Sequence, residues 1–171
     1  MLVLTAFLAC SDAHALQRIQ SGPTLELGVG PALGGAPARF AVGGQLSAGW
    51  WVGPYDDDYA LGRFWAVAVT GRVDLETATG AIRVAPLLEL RRGMDLFVVA
   101  PHFFVAAGPV LTVTERSATG VTGRVGGGLK LRRTRKLGIT ARLGGGVDYV
   151  AQRLSPAVGL TFGVGWSSPV R

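Results

Sequence analysis

The sequence is poor in charged residues, and lysine is almost absent from it. Only 16% of its 171 residues are Asp, Glu, Lys or Arg, whereas a soluble domain usually carries about 25%. The chain has two lysines, although the water-facing side of a sheet is normally rich in Lys, Glu and Gln. Since 49% of the residues are apolar, the composition argues against an ordinary soluble surface. The length suits one domain.

The chain also lacks a long apolar run and any helical period of useful length. A membrane-spanning helix needs roughly 20 consecutive apolar residues, and no run in this sequence reaches that length. A membrane β-barrel has a different balance, because its apolar residues alternate with polar ones and are missed by a search for long runs. The composition is typical of that class.

The one cysteine, Cys10, lies in an N-terminal segment typical of an export signal. Met1–Ala9 is apolar, and Ala13-His14-Ala15 is a small-x-small site for cleavage after Ala15. The usual basic residues before the apolar stretch are missing, which suggests a true start further upstream. Lipidation of Cys10 and a buried strand or short helix are the alternatives for this segment. Cleavage after Ala15 would leave no cysteine, and would exclude disulfide and thiol chemistry.

The net charge of +6 raises the question of nucleic-acid binding. Most basic residues are spread singly along the chain, often near acids. Only Arg132, Arg133, Arg135 and Lys136 form a cluster, and a few basic residues in one connection are typical of a solvated turn. We therefore expect no nucleic-acid partner.

Alternation of apolar and polar residues runs from Thr24 to Trp166 and predicts β-strands throughout. It is clearest in the last segment, where large apolar residues from Val158 to Trp166 share one face, and Ala, Gly and Thr take the other. Seven similar segments precede it, each at or above the roughly 9–11 residues that a tilted strand needs to cross a bilayer. We predict an all-β, closed antiparallel up-and-down barrel of about eight strands that spans a membrane. Its predicted parts are a signal peptide at 1–15, a lead at 16–23, the barrel at 24–166 and a tail at 167–171.

Turn residues separate the predicted strands, and prolines interrupt three of them. Gly53–Leu61, which contains three consecutive aspartates, is the only longer connection. Pro31, Pro86 and Pro109 fall inside predicted strands, and a closed barrel has no edge to accommodate them, so we expect bulges or displaced boundaries there. The predicted turns are Gly34–Pro37, Thr79-Gly80, Arg92-Gly93, Arg116-Ser117 and Ser155-Pro156.

Two barrels fit this alternation, and they differ in which face lies outside. In a membrane barrel the apolar face contacts lipid, whereas in a soluble lipocalin-like barrel it lines a cavity for an apolar ligand. The other face here is mostly Gly, Ala, Ser and Thr, which suits the narrow interior of an eight-stranded barrel. We favour the membrane barrel, with a soluble periplasmic barrel as an alternative. The aromatic residues predicted at the lipid interface are Trp50, Trp65, Tyr149 and Trp166.

In this pattern the chain resembles the small outer-membrane β-barrel proteins of Gram-negative bacteria. In that family the last strand carries alternating apolar residues and a terminal aromatic, which the barrel insertion machinery reads. Leu160, Phe162, Val164 and Trp166 match, although Ser167–Arg171 run past the expected end. The resemblance implies an outer-membrane location, contact with membrane lipid and lipopolysaccharide, and a monomer. The family usually keeps its long loops outside, whereas Gly53–Leu61 would lie on the periplasmic side if the N-terminus is periplasmic.

The charged residues of the polar face are predicted to fill the barrel as a network of ion pairs. Buried charges are costly unless they are paired, so we expect a structural plug and not a diffusion pore. The sequence leaves open which pairs form. The predicted lumen network comprises Glu26, Arg39, Arg72, Asp74, Glu76, Arg83, Glu89, Arg91, Arg124, Lys130, Arg142 and Asp148.

The sequence gives no convincing catalytic set. His102 would be the only histidine after export, and its side chain is predicted to point inward, where a hydrogen bond to a carboxylate is the simplest role. Lipid-modifying barrels of this size use a Ser/His/acid set, so an outer-membrane hydrolase using His102 is an alternative. Asp56-Asp57-Asp58 has poor spacing for Ca²⁺. We predict a non-enzymatic protein with a structural or envelope-interaction role, without metal or cofactor.

Overall fold

The computed structural model describes residues 21–35, 39–52, 62–96, 98–114, 117–133 and 136–168, which form eight strands. Within these ranges no helix is long and apolar enough to span a membrane. Each strand has 14 or 15 residues. The strands are β1 (Ser21–Gly34), β2 (Arg39–Val52), β3 (Gly62–Glu76), β4 (Ile82–Asp95), β5 (Val99–Val113), β6 (Ala118–Arg132), β7 (Leu137–Val150) and β8 (Arg153–Ser167).

Each strand pairs with its neighbours in the chain, and β8 pairs with β1 to close the barrel. All pairs are antiparallel, as short connections between consecutive strands require. The prediction of a closed, eight-stranded, up-and-down antiparallel barrel is confirmed. We call the end with the first residue of β1 and the last of β8 the terminal end, and the opposite end the turn end.

The apolar face of every described strand lies outside. In β1, Leu25 and Leu27 are 46% and 55% exposed, whereas Glu26 between them is 2% exposed. Phe103 on β5 is 78% exposed, and the adjacent His102 is 3% exposed. Because alternate residues of a strand point to opposite faces, the outside is apolar and the inside is polar. This is the reverse of a lipocalin-like barrel, so the described strands do not fit the alternative of a soluble barrel with an apolar cavity.

The structure confirms one predicted turn and corrects two. Gly80, in the β3–β4 connection, has a φ of 69°, a conformation that glycine adopts easily. Arg92-Gly93 and Ser155-Pro156 lie inside β4 and β8 instead. The β7–β8 turn is made by Ala151 and Gln152, with φ values of 49° and 63°. A two-residue hairpin of this twist usually carries Asn or Gly, so this pair gave no turn signal.

Pro31, Pro86 and Pro109 neither bulge their strands nor displace the strand ends. In the β1–β8 ladder, pairing stops after Val29–Phe162 and resumes at Ala32–Gly159. Both strands advance by three residues over this gap, so Pro31 interrupts the pairing without adding a bulge. In the β4–β5 ladder, pairing stops after Val84–Leu111 and resumes at Leu88–Ala107. The unpaired stretch has the same length on both strands and contains Pro86 and Pro109. Proline has no N–H, so its ladder is broken on one side while the other side stays paired. The expectation of bulges or displaced boundaries is wrong.

The barrel extends slightly beyond its predicted ends. Ser21–Pro23, predicted as lead, belong to β1, and Ser167, predicted as tail, ends β8. The predicted signal peptide, with Cys10 and His14, and the aspartates at 56–58 lie outside the described residues.

A glycine in β5 is required where the two prolines interrupt the β4–β5 ladder. A Cβ at Gly108 would lie against the Pro86 carbonyl oxygen, far inside normal contact distance. We predict that Gly108→Ala lowers the free energy of unfolding by about 1–3 kcal/mol, because the two strands must move apart. The measurement is the urea unfolding of the purified barrel in detergent micelles.

Gly123→Ala is the matched control for Gly108→Ala. It lies in β6, and a Cβ there would meet nothing within 4 Å. Equal losses of stability in the two variants would show that the close approach at Gly108 does not limit the packing of these strands.

Candidate functional site

The interior of the barrel holds every described carboxylate, and it is the candidate site. All twelve residues of the predicted lumen network lie on inward positions of their strands, and only Arg39, at the turn end, is largely exposed, with a side-chain exposure of 45%. Eleven of the twelve form ion pairs with one another, and Lys130 is the exception within the described residues. Neighbouring inward positions carry small residues, which leave room for these long side chains in a narrow lumen.

Glu26, Glu89, Arg91 and Arg142 form what we call the central cluster. Arg91 Nη1 donates to Glu26 Oε2 at 2.7 Å, and Arg91 Nε donates to Glu89 Oε1. Arg142 Nη2 donates to the same Glu89 oxygen. The four residues come from β1, β4 and β7, so these ion pairs connect walls of the barrel that are not neighbours in the sheet. Each side chain is at most 4% exposed.

Two hydroxyl groups complete the surroundings of the central cluster. Arg91 Nη2 donates to Ser47 Oγ at 2.6 Å. Thr70 Oγ1 lies 2.9 Å from Ser47 Oγ and 3.1 Å from Glu89 Oε2. Ser47 lies on β2 and Thr70 on β3, and both are buried. Their hydroxyl groups make the hydrogen bonds to Arg91 and Glu89 that water would otherwise have to make.

A second group, the turn-end cluster, contains Arg39, Arg72, Asp74, Glu76, Arg83, Arg124 and Asp148. Glu76 lies 2.9 Å from Arg39 and 3.7 Å from Arg83, whose Nη1 is also 3.3 Å from Asp148. Asp148 Oδ1 accepts from Arg124 Nη2 at 2.7 Å. Guanidinium and carboxylate groups therefore alternate along this chain of contacts, in the order Arg39 on β2, Glu76 on β3, Arg83 on β4, Asp148 on β7 and Arg124 on β6.

Two further contacts fix the guanidinium and carboxylate groups of the turn-end cluster. Arg72 binds Asp74, two residues along β3, through Nε and Nη2 at 2.8 and 2.9 Å. Such a bidentate pair fixes both the position and the plane of the guanidinium. Thr122 Oγ1 donates to Asp148 Oδ1 at 2.6 Å, so that carboxylate has three protein partners.

The terminal end of the lumen is filled differently, by aromatic rings and cations. The rings of Trp51 and Phe64 stack with centroids 4.0 Å apart, and Lys130 Nζ lies 5.2 Å from the Trp51 ring. Beside them, Arg132 pairs with Asp95 at 2.7 Å. Asp95 was missing from the predicted network because strand four was expected to end before it.

His102 lies in the wall of the barrel and has no catalytic partner among the described residues. Its Nδ1 is 3.4 Å from the Ala100 carbonyl oxygen on the same strand, and its Nε2 has no hydrogen-bond partner within the described residues. The prediction that His102 bonds to a carboxylate is therefore wrong within the described residues, because its contact is with a backbone carbonyl. No group of three His, Cys, Asp or Glu in the same part of the chain could hold a metal ion.

The outward aromatic residues divide between the two ends of the barrel. Trp50, Trp65 and Trp166 lie near the terminal end and are 38–48% exposed. Tyr149 lies near the turn end and is 46% exposed. The Arg92 guanidinium lies 4.9 Å from the centre of the Trp65 ring, so a cation accompanies the indole on the outer surface.

The barrel is similar in fold to solved outer-membrane proteins. The crystal structure of Neisserial surface protein A (NspA) matches with a TM-score of 0.65 and 13% identity, over 86% of this chain and 99% of that chain. The outer membrane enzyme PagL matches with a TM-score of 0.54 and 12% identity, over 82% and 97% of the two chains. The resemblance to small outer-membrane barrels is confirmed at the level of the fold. No protein-family model and no curated protein matches the sequence.

Removal of the Glu89 carboxylate should destabilise the barrel strongly. Glu89→Gln keeps the shape of the side chain but leaves Arg142 without a carboxylate partner, while Arg91 keeps only Glu26. We expect a loss of about 3–5 kcal/mol in the free energy of unfolding. Urea unfolding of the refolded barrel in micelles measures it.

Arg39→Gln is the control for Glu89→Gln, because it also removes one charge from an ion pair. Its partner Glu76 keeps Arg83, and the Arg39 side chain is 45% exposed, so we expect a loss of about 0–1 kcal/mol. A loss in Glu89→Gln as small as in Arg39→Gln would mean that the central cluster is hydrated.

Proposed function

We propose that this protein is a non-enzymatic outer-membrane β-barrel with a structural or envelope-interaction role and a closed lumen. The observation that carries this proposal is the apolar outer surface. In the described part of the chain, 37 large apolar side chains are exposed, and all but Leu96 lie on the eight strands. Contiguous apolar surface of this extent is not tolerated by a soluble monomer, and it matches the band by which a membrane barrel contacts lipid.

The height of the apolar band supports a membrane-spanning role. On β3, the outward positions from Trp65 to Leu75 carry only apolar side chains or glycine. This segment has the length of roughly 9–11 residues that a tilted strand needs to cross the hydrocarbon core. The charged outward residues of the described strands, Arg63 and Arg92, lie at the terminal end of the same region. Such cations suit the head-group layer.

The partners of this barrel follow from the same surface. We propose that outer-membrane phospholipid and lipopolysaccharide cover the apolar band, and that the chain is a monomer there. The outward Phe162, Val164 and Trp166 of β8 supply the alternating signal that the insertion machinery would read.

The closed lumen is supported by the ion pairs that cross it. Arg91 bridges β4 and β1, and Arg83 bridges β4 and β7, so charged side chains lie across the interior at two levels. Trp51 and Phe64 fill the terminal end of the interior. An eight-stranded barrel is only wide enough for side chains, so a continuous aqueous path has no room.

The contact of the outer surface with lipid can be tested by tryptophan quenching. Single-tryptophan variants that keep Trp65 or Trp166 should be quenched by lipids brominated near the top of the acyl chains. Both rings lie on the outer face near the strand ends, where indoles favour the interface. A variant that keeps Trp51, which is 3% exposed and inward, is the control and should respond much less. Equal quenching of all three would contradict the proposed orientation in the membrane.

The closed lumen can be tested separately in planar bilayers. We expect little steady conductance from the inserted wild-type barrel, because the paired charges of the central cluster fill its cross-section. Bilayers that receive detergent alone provide the baseline. Stable channels of large conductance would contradict the closed lumen while leaving the membrane location intact.

A further inference from the structure

A small cavity lies inside the barrel between the central cluster and the turn-end cluster. Its volume is about 30 Å³. A cavity needs roughly 10–15 Å³ to hold one water molecule, so this one accommodates about two waters or a single ion somewhat larger than water. Three of its charged wall residues are cations, Arg72, Arg124 and Arg142, and the fourth is Glu89. The wall is therefore rich in positively charged hydrogen-bond donors.

Arg142 has donor groups that the described residues leave unsatisfied. It is 3% exposed, and its Nη2 donates to Glu89. Its Nε and Nη1 are buried and have no hydrogen-bond partner within the described residues. The guanidinium carbon of Arg142 lies 4.3 Å from the centre of the Phe104 ring, but a ring face is only a weak acceptor for N–H groups, and a guanidinium cannot lose its charge. A buried donor without an acceptor costs roughly 1–3 kcal/mol, and more when the group is charged.

The nearby carboxylates do not supply that acceptor. Glu89 already accepts from Arg91, Arg142 and Thr70. Glu26 accepts from Arg91 through Oε2, and its Oε1 makes no hydrogen bond to Arg142 or to any other described residue. The carboxylates that pair with the other two cavity cations, Asp74 and Asp148, are not part of the cavity wall. Arg72 and Arg124 therefore bind their carboxylates outside the cavity wall while still lining the cavity.

The described interior as a whole also has too few negative charges. Its carboxylates are Glu26, Asp74, Glu76, Glu89, Asp95 and Asp148. Its cations are Arg39, Arg72, Arg83, Arg91, Arg124, Lys130, Arg132 and Arg142. Without the half-exposed Arg39, seven cations still face six carboxylates. The one described interior cation without an ion pair is Lys130 at the terminal end, so the excess makes the lumen as a whole positive and does not leave an unpaired cation at the cavity itself.

We propose that this cavity binds one small monovalent inorganic anion of the chloride class. Arg142 Nε and Nη1 are its main donors, and Arg72 and Arg124 supply positive charge from the opposite side. The anion belongs to the folded barrel and balances the interior charge. This inference goes beyond the proposed function and rests on its closed lumen.

The first test compares anions at constant ionic strength. Wild-type protein in micelles is unfolded with urea in sodium chloride and in sodium gluconate, whose anion is too large for the cavity, and followed by circular dichroism. We expect chloride to raise the midpoint urea concentration until the effect saturates, as for a ligand that binds only the folded state. Identical midpoints in the two salts at every concentration would overturn the proposal.

Two variants of Gln45, which lines the cavity, test where the chloride acts. Gln45→Glu places a negative charge in the wall with almost no change in size, so the dependence on chloride should be lost. Gln45→Met has a similar size without the charge and should keep the dependence. Equal dependence in both variants would locate the chloride effect elsewhere and overturn the site.

A crystallographic measurement does not depend on how these variants fold. Crystals of the wild-type barrel grown or soaked in sodium bromide should give an anomalous peak in the cavity, within hydrogen-bond distance of Arg142. A cavity that contains only water in such crystals would overturn the proposal. If Trp65 and Trp166 are still quenched by brominated lipid and conductance stays low in that case, only the anion site fails and the proposed function stands.

Discussion

Backbone hydrogen bonding is the constraint on which this structure depends. A strand surrounded by hydrocarbon has no water to accept from its N–H groups or donate to its carbonyl groups, so each must pair with another strand. Eight strands joined in order satisfy this only when β8 returns to β1, as it does here. Closure then fixes the size of the interior, and the interior admits side chains but no bulk water. Small inward residues and paired charges are consequences of that size.

Pairing of charges across the lumen follows from the same narrowness. In a wide channel the arginines of β4 and β7 would be hydrated separately, and their carboxylates could lie anywhere. Here the Glu89 carboxylate serves both Arg91 and Arg142, and hydroxyls from β2 and β3 occupy the remaining space. Such a network specifies which strands face each other across the barrel.

The strands and their outward faces could be predicted from the sequence because both depend on a local signal, the period of two. Alternation places Leu27 and Glu26 on opposite faces whatever the rest of the chain does. Features that depend on the register between strands could not be predicted from this local period. From the sequence alone, Pro86 conflicted with a strand in a closed barrel. The register shows that it lies opposite Pro109 in a gap of the β4–β5 ladder, and that register could not be known from the sequence. The partner of Glu26 is 65 residues away on a non-adjacent strand, and only the stagger of the whole barrel brings Arg91 to it.

The β1–β8 ladder has a consequence for the order of assembly. Every other ladder joins strands that are consecutive in the chain, so it can form as soon as its second strand is available. The closing ladder joins the beginning of the barrel to its end, and it is the one that Pro31 interrupts. If the chain assembles in the proposed membrane, β1 has an open edge until β8 arrives, and hydrocarbon cannot satisfy that edge. The unfinished barrel would then need a temporary partner at β1, to be released when the last strand is in place.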